Sequence, residues 1–499
     1  MKPTEEQADA IRAAARGETF VLDAPAGSGK SSTAERMASV IDGKVMYIVY
    51  NRAAKDEAVK RFAHLPHVEV RTTASLGWHA FRRTHAERMN FDKSPRVRGK
   101  KVAELEGITD FLDIGGGKHI APTVLANIAT STLLDFSYTA DFVITGKNVK
   151  RANLPDGLTE HQEDIIRESV VPLARRIWKK TQEPDSEHWF PQQYAFKLYA
   201  MTQPDLKVDA VILDEAQDSN PATEYLVKSQ NNAQQIIIGD PAQQIYAWRG
   251  AVDIMDNFGG NRYSLTQSFR FGVDIADEAA KWLEHTGTGI TIKGLKTIDS
   301  RVTDGGMMGP NAILCRTNVG CMASAMEELK KNRRVAIVGG TSGLKDLAHA
   351  AGKLMQGKPV EHPELAAFET WDELVEFSEE PSGGDLKPLV ALVRSYGPGG
   401  IIDACKKMVN EKRGRPDILV STAHKAKGLE WGKVRVNADF ESSEPSPHEN
   451  VVTGEPVQGK INRMDAMLHY VTVTRAKKHL DRGGLSWIDN YGKTVEAYE

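Results

Sequence analysis

The sequence predicts an α/β protein of two domains, parallel sheets flanked by helices, each domain interrupted by a mainly helical insertion. Three observations predict it: short β-branched apolar runs alternate with helix-compatible stretches, a glycine-rich turn joins the first run to the first such helix, and a second series of runs begins after residue 310. Short apolar runs closing on polar or glycine residues are how strands buried on both faces of a parallel sheet read.

The first domain opens on Phe20, Val21 and Leu22, then a glycine-rich turn, then the stretch STAERMASVI, which reads as strand, loop and helix. Further runs follow at 45–49, 208–213 and 236–238. Between 78 and 205 the rhythm breaks into helix-compatible sequence with polar interruptions such as DIGGGKH, the mark of an insertion. The alternation resumes at 311–317, 334–340, 417–422 and 433–436, broken by a helical, acidic piece containing SEEPSGGD. The expected division is 1–78 with 206–265 for the first domain and 79–205 for its insertion, then 266–341 with 411–499 for the second domain and 342–410 for its smaller insertion. No short-period repeat or low-complexity tail is visible.

At 499 residues the chain exceeds one ordinary core, since domains run to roughly 150 residues. Hydrophobic residues make up 40% and charged residues 26%, with a mean hydropathy of −0.40, a globular composition. No apolar run approaches the ~18 residues a membrane span needs, and the amino terminus lacks the apolar stretch of a signal peptide. The expected location is the cytoplasm of a bacterial or phage-infected cell, or a nucleus if the source is eukaryotic, and not a secreted or membrane one. Cys315, Cys321 and Cys405 form no CxxC or Cys/His cluster, so they read as small buried side chains rather than a disulfide frame or zinc site.

The net charge of −3 and pI of about 6.6 give no global signal for a polyanionic partner, so any nucleic-acid contact must be local. The stretch 81–101, where Arg82, Arg83, Arg88, Lys93, Arg96, Arg98, Lys100 and Lys101 interleave with Phe81, His85 and Phe91, is either such a patch or a solvated surface.

Ala24-Pro25-Ala26-Gly27-Ser28-Gly29-Lys30-Ser31 lies between a predicted strand and helix, where a phosphate-cradling loop belongs. Its glycines let backbone N–H groups turn toward phosphate oxygens, the helix amino terminus adds positive potential, Lys30 reaches the outer phosphates, and the Ser31 hydroxyl can ligate Mg²⁺. The first glycine of the usual pattern is Ala24 here. The run Val211-Ile212-Leu213 ends on Asp214 and Glu215, which can divide labour: Asp214 holds the metal, and Glu215 orients and deprotonates an attacking water.

Read with DEAQD (214–218), GDPAQQIYAWRGA (239–251), QSFR (267–270), STAHKAKGLEW (421–431) and YVTVTRAKK (470–478), these elements give a chain that resembles the UvrD/Rep/PcrA-type superfamily 1 helicases over nearly its whole length. The compact insertion in its second domain is more similar to that of the F-box DNA helicase and its small viral or bacterial relatives. The resemblance implies two RecA-like domains, ATP and Mg²⁺ as cofactors, and single-stranded DNA and its junctions with duplex as partners.

Position by position, the resemblance implies that Gln7 reads the adenine edge, Phe269 stacks near the base and Glu430 binds the ribose. Ala26, Gly27, Ser28, Gly29, Lys30 and Ser31 would hold the phosphates, with Ser31 and Asp214 on the metal and Glu215 as catalytic base. Gln243 would sense the γ-phosphate, and Arg270 and Arg475 would be brought onto it when the cleft closes, placing positive groups on developing charge. The implied DNA track comprises Tyr246 and Trp248, whose rings stack on bases, with Asn51, Arg52, Thr72, Thr422 and His424 at the sugar-phosphate backbone and Arg249 linking track and cleft.

Three departures stand out. The histidine expected two residues after Thr72 is Ala74. Arg475 is followed by KKHLDRGGLSW where an apolar closing strand is usual, so the carboxyl end is expected to be unusual or partly loose. An accessory carboxyl-terminal tail and a fused nuclease activity are not expected. The expected activity is 3′-to-5′ translocation on single-stranded DNA with unwinding, serving replication, repair or recombination, by a monomer whose loading partner the sequence does not name. The alternative is a nucleotide-switched DNA-binding or protein-displacing translocase without efficient unwinding.

Overall fold

A computed structural model describes residues 2–85, 88, 99–245, 254–360, 362, 365, 368–379, 386–445, 448–449, 456–457 and 459–491. The chain divides into two compact units, 1–24 with 29–265 and 25–28 with 266–499. Tyr246, Trp248 and Arg249, and much of the basic stretch after His85, lie outside the described residues.

In the first unit the strands are β1 (Phe20–Asp23), β2 (Val45–Val49), β3 (Val68–Thr72), β4 (Leu112–Asp113), β5 (His119–Ile120), β6 (Ala210–Leu213), β7 (Gln234–Gly239) and β8 (Asn261–Ser264). All but the β4–β5 ribbon form one six-stranded sheet in the order β3-β2-β6-β7-β1-β8, parallel throughout. Every residue of β1, β2 and β6 is buried, as continuous apolar runs in a two-faced sheet require. Helices α1 (Glu5–Ala15), α2 (Lys30–Val40), α3 (Arg52–Arg61), α4 (Thr73–Phe81) and α9 (Pro221–Lys228) belong to this frame. Between α4 and β6, helices α5 (Gly99–Glu106), α6 (Pro122–Tyr138), α7 (Glu160–Thr181) and α8 (Gln192–Met201) enclose a core of their own built on Ile128, Leu133, Phe136, Ile166 and Tyr194. One close approach joins this insertion to the frame. A Cβ on Gly77 of α4 would lie 2.5 Å from the Phe196 amide nitrogen of α8, so only glycine lets these two helices meet there.

The second unit repeats the plan. Strands β9 (Arg301–Thr303), β10 (Ala312–Cys315), β11 (Val335–Ile337), β12 (Ile418–Thr422), β13 (Trp431–Val436) and β16 (Ala476–Asp481) form a parallel sheet in the order β11-β12-β10-β13-β16-β9, while β14 (His448–Glu449) and β15 (Pro456–Val457) pair as a short ribbon. Helices α10 (Val273–Leu283), α11 (Asn318–Lys330), α12 (Ser342–Leu354), α13 (Trp371–Glu379), α14 (Lys387–Lys407), α15 (Ala423–Ala426) and α16 (Arg463–Val473) accompany it. The three cysteines are buried.

The stretch just after Arg475, expected to be unusual or partly loose, forms a strand. Ala476–Asp481 lies inside the sheet between β13 and β9. Two of its polar residues find partners on neighbouring segments: His479 Nε2 lies 3.0 Å from Thr303 Oγ1, and the Asp481 carboxylate accepts from the Gly305 N–H at 2.7 Å. Arg482 then pairs with Asp304, Asp489 and Glu278. A strand that reads as polar is thus held in the sheet by partners for its polar groups.

Candidate nucleotide and nucleic-acid sites

In a parallel sheet, ligands bind beyond the carboxyl ends of the strands. There, in the first unit, Lys30 begins α2 and reaches back to the end of β6, where its ammonium pairs with Glu215 and stands 3.4 Å from Asp214 Oδ1. Burial disfavours the ammonium, but the two carboxylates outweigh it and hold its pKa above the usual lysine range. Gly29 precedes it in the left-handed region, φ 80°, and α2 has no side-chain cap, which leaves its first turn suited to an anion.

Asp214 is held at both oxygens. Oδ1 accepts the Glu215 N–H at 2.8 Å, and Oδ2 accepts the Tyr47 hydroxyl at 2.6 Å. Burial and the neighbouring Asp214 charge push the Tyr47 phenol well above its ordinary pKa, so it stays a donor. Glu215 itself is a non-glycine residue with φ 54° and ψ 42°, a backbone state that costs energy and clusters at functional sites.

A second layer ties Glu215 to the end of β7. Gln217 Nε2 donates to Glu215 Oε2 at 2.6 Å while its Oε1 accepts the Asp240 N–H at 3.0 Å. Asp240 Oδ2 in turn accepts from Gln243 Nε2 at 2.6 Å. Gln243 therefore reaches Glu215 through Asp240 and Gln217. The sequence points to Gln243 and Glu215 but not to the two residues between them, nor to Tyr47. Gln217 and Asp240 sit within the motif strings; Tyr47 has as its only signal a hydroxyl inside an otherwise apolar run, which must find a partner when buried.

Gln7 is the third residue of α1, where its side-chain carbonyl accepts the Thr4 N–H at 3.1 Å in a capping box. Within the second unit, the Phe269 N–H donates to the Gly27 carbonyl at 2.8 Å and the Ala26 N–H to Tyr470 Oη at 3.0 Å. Gly27 has φ +76°, and a Cβ there would lie 2.5 Å from Arg270 Cβ, so glycine is required. Arg270 Nε pairs with Glu430 Oε2 at 2.7 Å, so Glu430, expected at a ribose, here meets an arginine. Burial alone would raise the Glu430 pKa, but Arg270 and Lys477 lower it. Arg475 is buried, its guanidinium donating to the Val471 carbonyl at 2.8 Å, the Leu429 carbonyl at 3.3 Å and Thr474 Oγ1 at 3.0 Å.

Three residues assigned to the DNA track are helix N-caps. Asn51 Oδ1 accepts the Ala54 N–H, Thr72 Oγ1 the Ser75 N–H and Thr422 Oγ1 the Lys425 N–H, with His424 in the short helix α15 that Thr422 caps. In the first unit, Asn51, Arg52 and Thr72 line one cavity of about 1160 Å³, together with the exposed rings of Tyr50 and Trp78 and with Gln192 and Gln193 of α8. The α4–α8 contact permitted by Gly77 sets the wall of this groove.

A phosphate loop, a lysine and two acids at the end of a central parallel strand define the class of P-loop nucleotide-binding proteins with RecA-like domains. Residues 3–260 match the UvrD/REP helicase N-terminal domain and residues 401–482 the UvrD-like helicase C-terminal domain. The chain belongs to the UvrD/Rep family of helicases.

It is 26% identical to F-box DNA helicase protein 1 of Schizosaccharomyces pombe over 93% of this chain and 55% of that protein. It is 28% identical to F-box DNA helicase 1 of Gallus gallus over 93% of this chain and 47% of that one. The chain thus spans about half the length of the curated relatives it matches. An arterivirus nonstructural protein 10 (helicase) solved with DNA overlays 94% of this chain and 61% of its own at 9% identity and a TM-score of 0.34, a likeness too slight to bear on function. No helix among the described residues is long and apolar enough to cross a membrane.

Proposed function

We propose that the chain is an ATP-driven translocase and DNA helicase that moves along single-stranded DNA from 3′ to 5′. The observation that carries this reading is the linkage, at the carboxyl ends of two central strands, of Lys30, Asp214 and Glu215 with Gln243 through Gln217 and Asp240. An idle nucleotide clamp has no use for a carboxylate so placed. The residues fit a metal-bound nucleotide: an uncapped helix start, a lysine, and a hydroxyl and carboxylate in Ser31 and Asp214 as metal donors. When bound, Mg²⁺ would offset charge on the phosphate oxygens.

The residues of the chain do the rest. A phosphate entering the loop competes with Glu215 for the Lys30 ammonium, since each is an anion seeking the same donor. Glu215, released from Lys30 and held by Gln217, then orients water and accepts its proton. By the family resemblance, Arg270 and Arg475 would add positive charge to the transferring phosphoryl group. Gln7, Phe269 and Glu430 would hold the base and ribose.

For the strand, the groove beside Asn51, Arg52 and Thr72 offers a cation, hydrogen-bonding groups and two exposed rings, a combination that binds single strands without reading sequence. Likeness to the F-box DNA helicases supports DNA as the polymer, and likeness to the UvrD side of superfamily 1 supports the polarity. The test is steady-state ATP hydrolysis with and without single-stranded DNA, with Glu215→Gln as control, followed by unwinding of 3′- and 5′-tailed duplexes. Stimulation lost in Glu215→Gln and unwinding of the 3′-tailed duplex are expected. Hydrolysis indifferent to DNA would sink the motor reading.

A further inference from the structure

We infer that Tyr47 is a positioning residue for the metal site: its hydroxyl fixes the carboxylate of Asp214 so that Oδ1 is presented for Mg²⁺ coordination. The inference rests on the proposed nucleotide site and adds to it a residue from a different strand.

The geometry begins with the sheet. β2 and β6 run side by side in parallel, with Tyr47 opposite Ile212 and Ile48 opposite Leu213, and the Asp214 N–H continues the ladder by donating to the Ile48 carbonyl at 2.9 Å. Tyr47 is 2% exposed and packs in an apolar cluster with Phe62, whose ring centroid lies 4.6 Å away. A phenol buried among apolar side chains needs a hydrogen-bond acceptor, and Asp214 Oδ2 supplies one at 2.6 Å. That distance is typical of a hydroxyl bonded to an ionised carboxylate, the stronger class of hydrogen bond.

The consequence falls on the other oxygen. With Oδ2 committed to Tyr47, and Oδ1 accepting the Glu215 N–H and facing Lys30 Nζ at 3.4 Å, the carboxylate has a single orientation, one edge to the core and one to the phosphate loop. The ring fixes the hydroxyl in turn, because its packing on Phe62 and its place in a fully buried strand leave it no second position. Partners of this kind orient a metal ligand without touching the metal, and their removal typically costs roughly 10- to 100-fold in metal affinity or activity.

The experiment is a Mg²⁺ titration of fluorescent ATP-analogue binding, without DNA and with EDTA controls, on the parent, Tyr47→Phe and Phe62→Leu. Tyr47→Phe removes one hydroxyl and keeps the ring, and its thermal midpoint reports whether the sheet is intact. The expected result is a rise of about tenfold in the Mg²⁺ concentration for half-maximal binding, with binding in EDTA unchanged. Phe62→Leu, which loosens the ring and keeps the hydroxyl, should shift it less. A Tyr47→Phe titration superimposable on the parent's overturns the inference while leaving the nucleotide site standing, and so does an equal shift in Phe62→Leu. A parent that binds no nucleotide at any Mg²⁺ concentration overturns the nucleotide-site reading itself, and the inference with it. Should Tyr47→Phe fail to fold, Tyr47→Met, which fills the buried site without a donor, must show the same rise, and a Mg²⁺ dependence like the parent's in that folded variant would also overturn the inference.

Discussion

Gln217 and Glu215, two residues apart, are joined by a 2.6 Å hydrogen bond from Nε2 to Oε2, with Gln217 fully buried and Glu215 in a left-handed backbone state. Short separation and unusual backbone belong together: the turn at Glu215 brings both side chains to one side, where an extended pair two apart would be spaced along a strand. Gln217→Leu removes the donor to Glu215 and orphans the Asp240 N–H, which should cost about 1–3 kcal/mol of stability. Turnover should fall by on the order of 10² while nucleotide still binds, since a general base out of place loses that much. Urea melts and single-turnover hydrolysis measure both, and full turnover in the variant would refute the relay.

Lys30→Ala tests the charge balance at the loop. The Lys30 pKa is raised in the folded state, so its contribution to stability is complete below the unfolded value near 10.5 and is lost only as pH rises through the higher folded value. At neutral pH the parent therefore has the full benefit. In Lys30→Ala, Asp214 and Glu215 stand side by side without the ammonium that faces both. The variant should hydrolyse no ATP, and added salt should raise its thermal midpoint more than the parent's at neutral pH, because salt screens the repulsion left between the two carboxylates. An equal response to salt in both would mean that Lys30 acts by packing rather than by charge.

The parallel sheets and the phosphate loop were legible because the physics that makes them is local: buried strands need unbroken apolar runs, and a loop that cradles phosphate needs glycine. Gln217 and Asp240 stood in plain view as letters, but their pairing depends on the end of β6 lying beside the end of β7, which no spacing within either motif reveals. Ala476–Asp481 was illegible for the opposite reason: two lysines, a histidine and an aspartate spell a surface segment until Thr303 and the Gly305 amide are placed beside them. Asn51 and Thr72 show how one residue can be read two ways, since a polar side chain after a strand can cap the next helix and still border a groove.

His469 predicts an acid limb to the stability curve of the second unit. Its ring lies against Trp282 at 4.5 Å and touches Ser443 Oγ at 3.0 Å, and burial, helped by Arg316, lowers its pKa to about 3. A depressed folded value means that the unfolded chain takes up the proton first, so stability is whole above pH ~6.5 and is lost as pH falls toward 3, by up to roughly 1.4 kcal/mol per pH unit. His469→Gln keeps a hydrogen-bonding amide and abolishes the titration. Urea midpoints between pH 7 and pH 4.5 should fall less steeply in the variant than in the parent; parallel curves would show that another group sets the acid limb.

Arg52 lies exposed at the first turn of α3 and lines the groove with Asn51, which caps the same helix. As a phosphate contact it would displace condensed counterions, and each such contact on a single strand contributes about 0.7 to the slope of log affinity against log salt. Arg52→Ala should therefore weaken binding of oligonucleotides of every sequence by a similar factor and flatten that slope by about 0.7, with thermal stability unchanged because the side chain is exposed. Trp78→Ala, which removes a ring and no charge, should weaken binding by ~1–3 kcal/mol without altering the slope. Measured by fluorescence anisotropy from about 50 to 200 mM salt, the two variants separate the charged contact from the stacked one. Slopes identical in the parent and Arg52→Ala would place the phosphate path elsewhere than this groove.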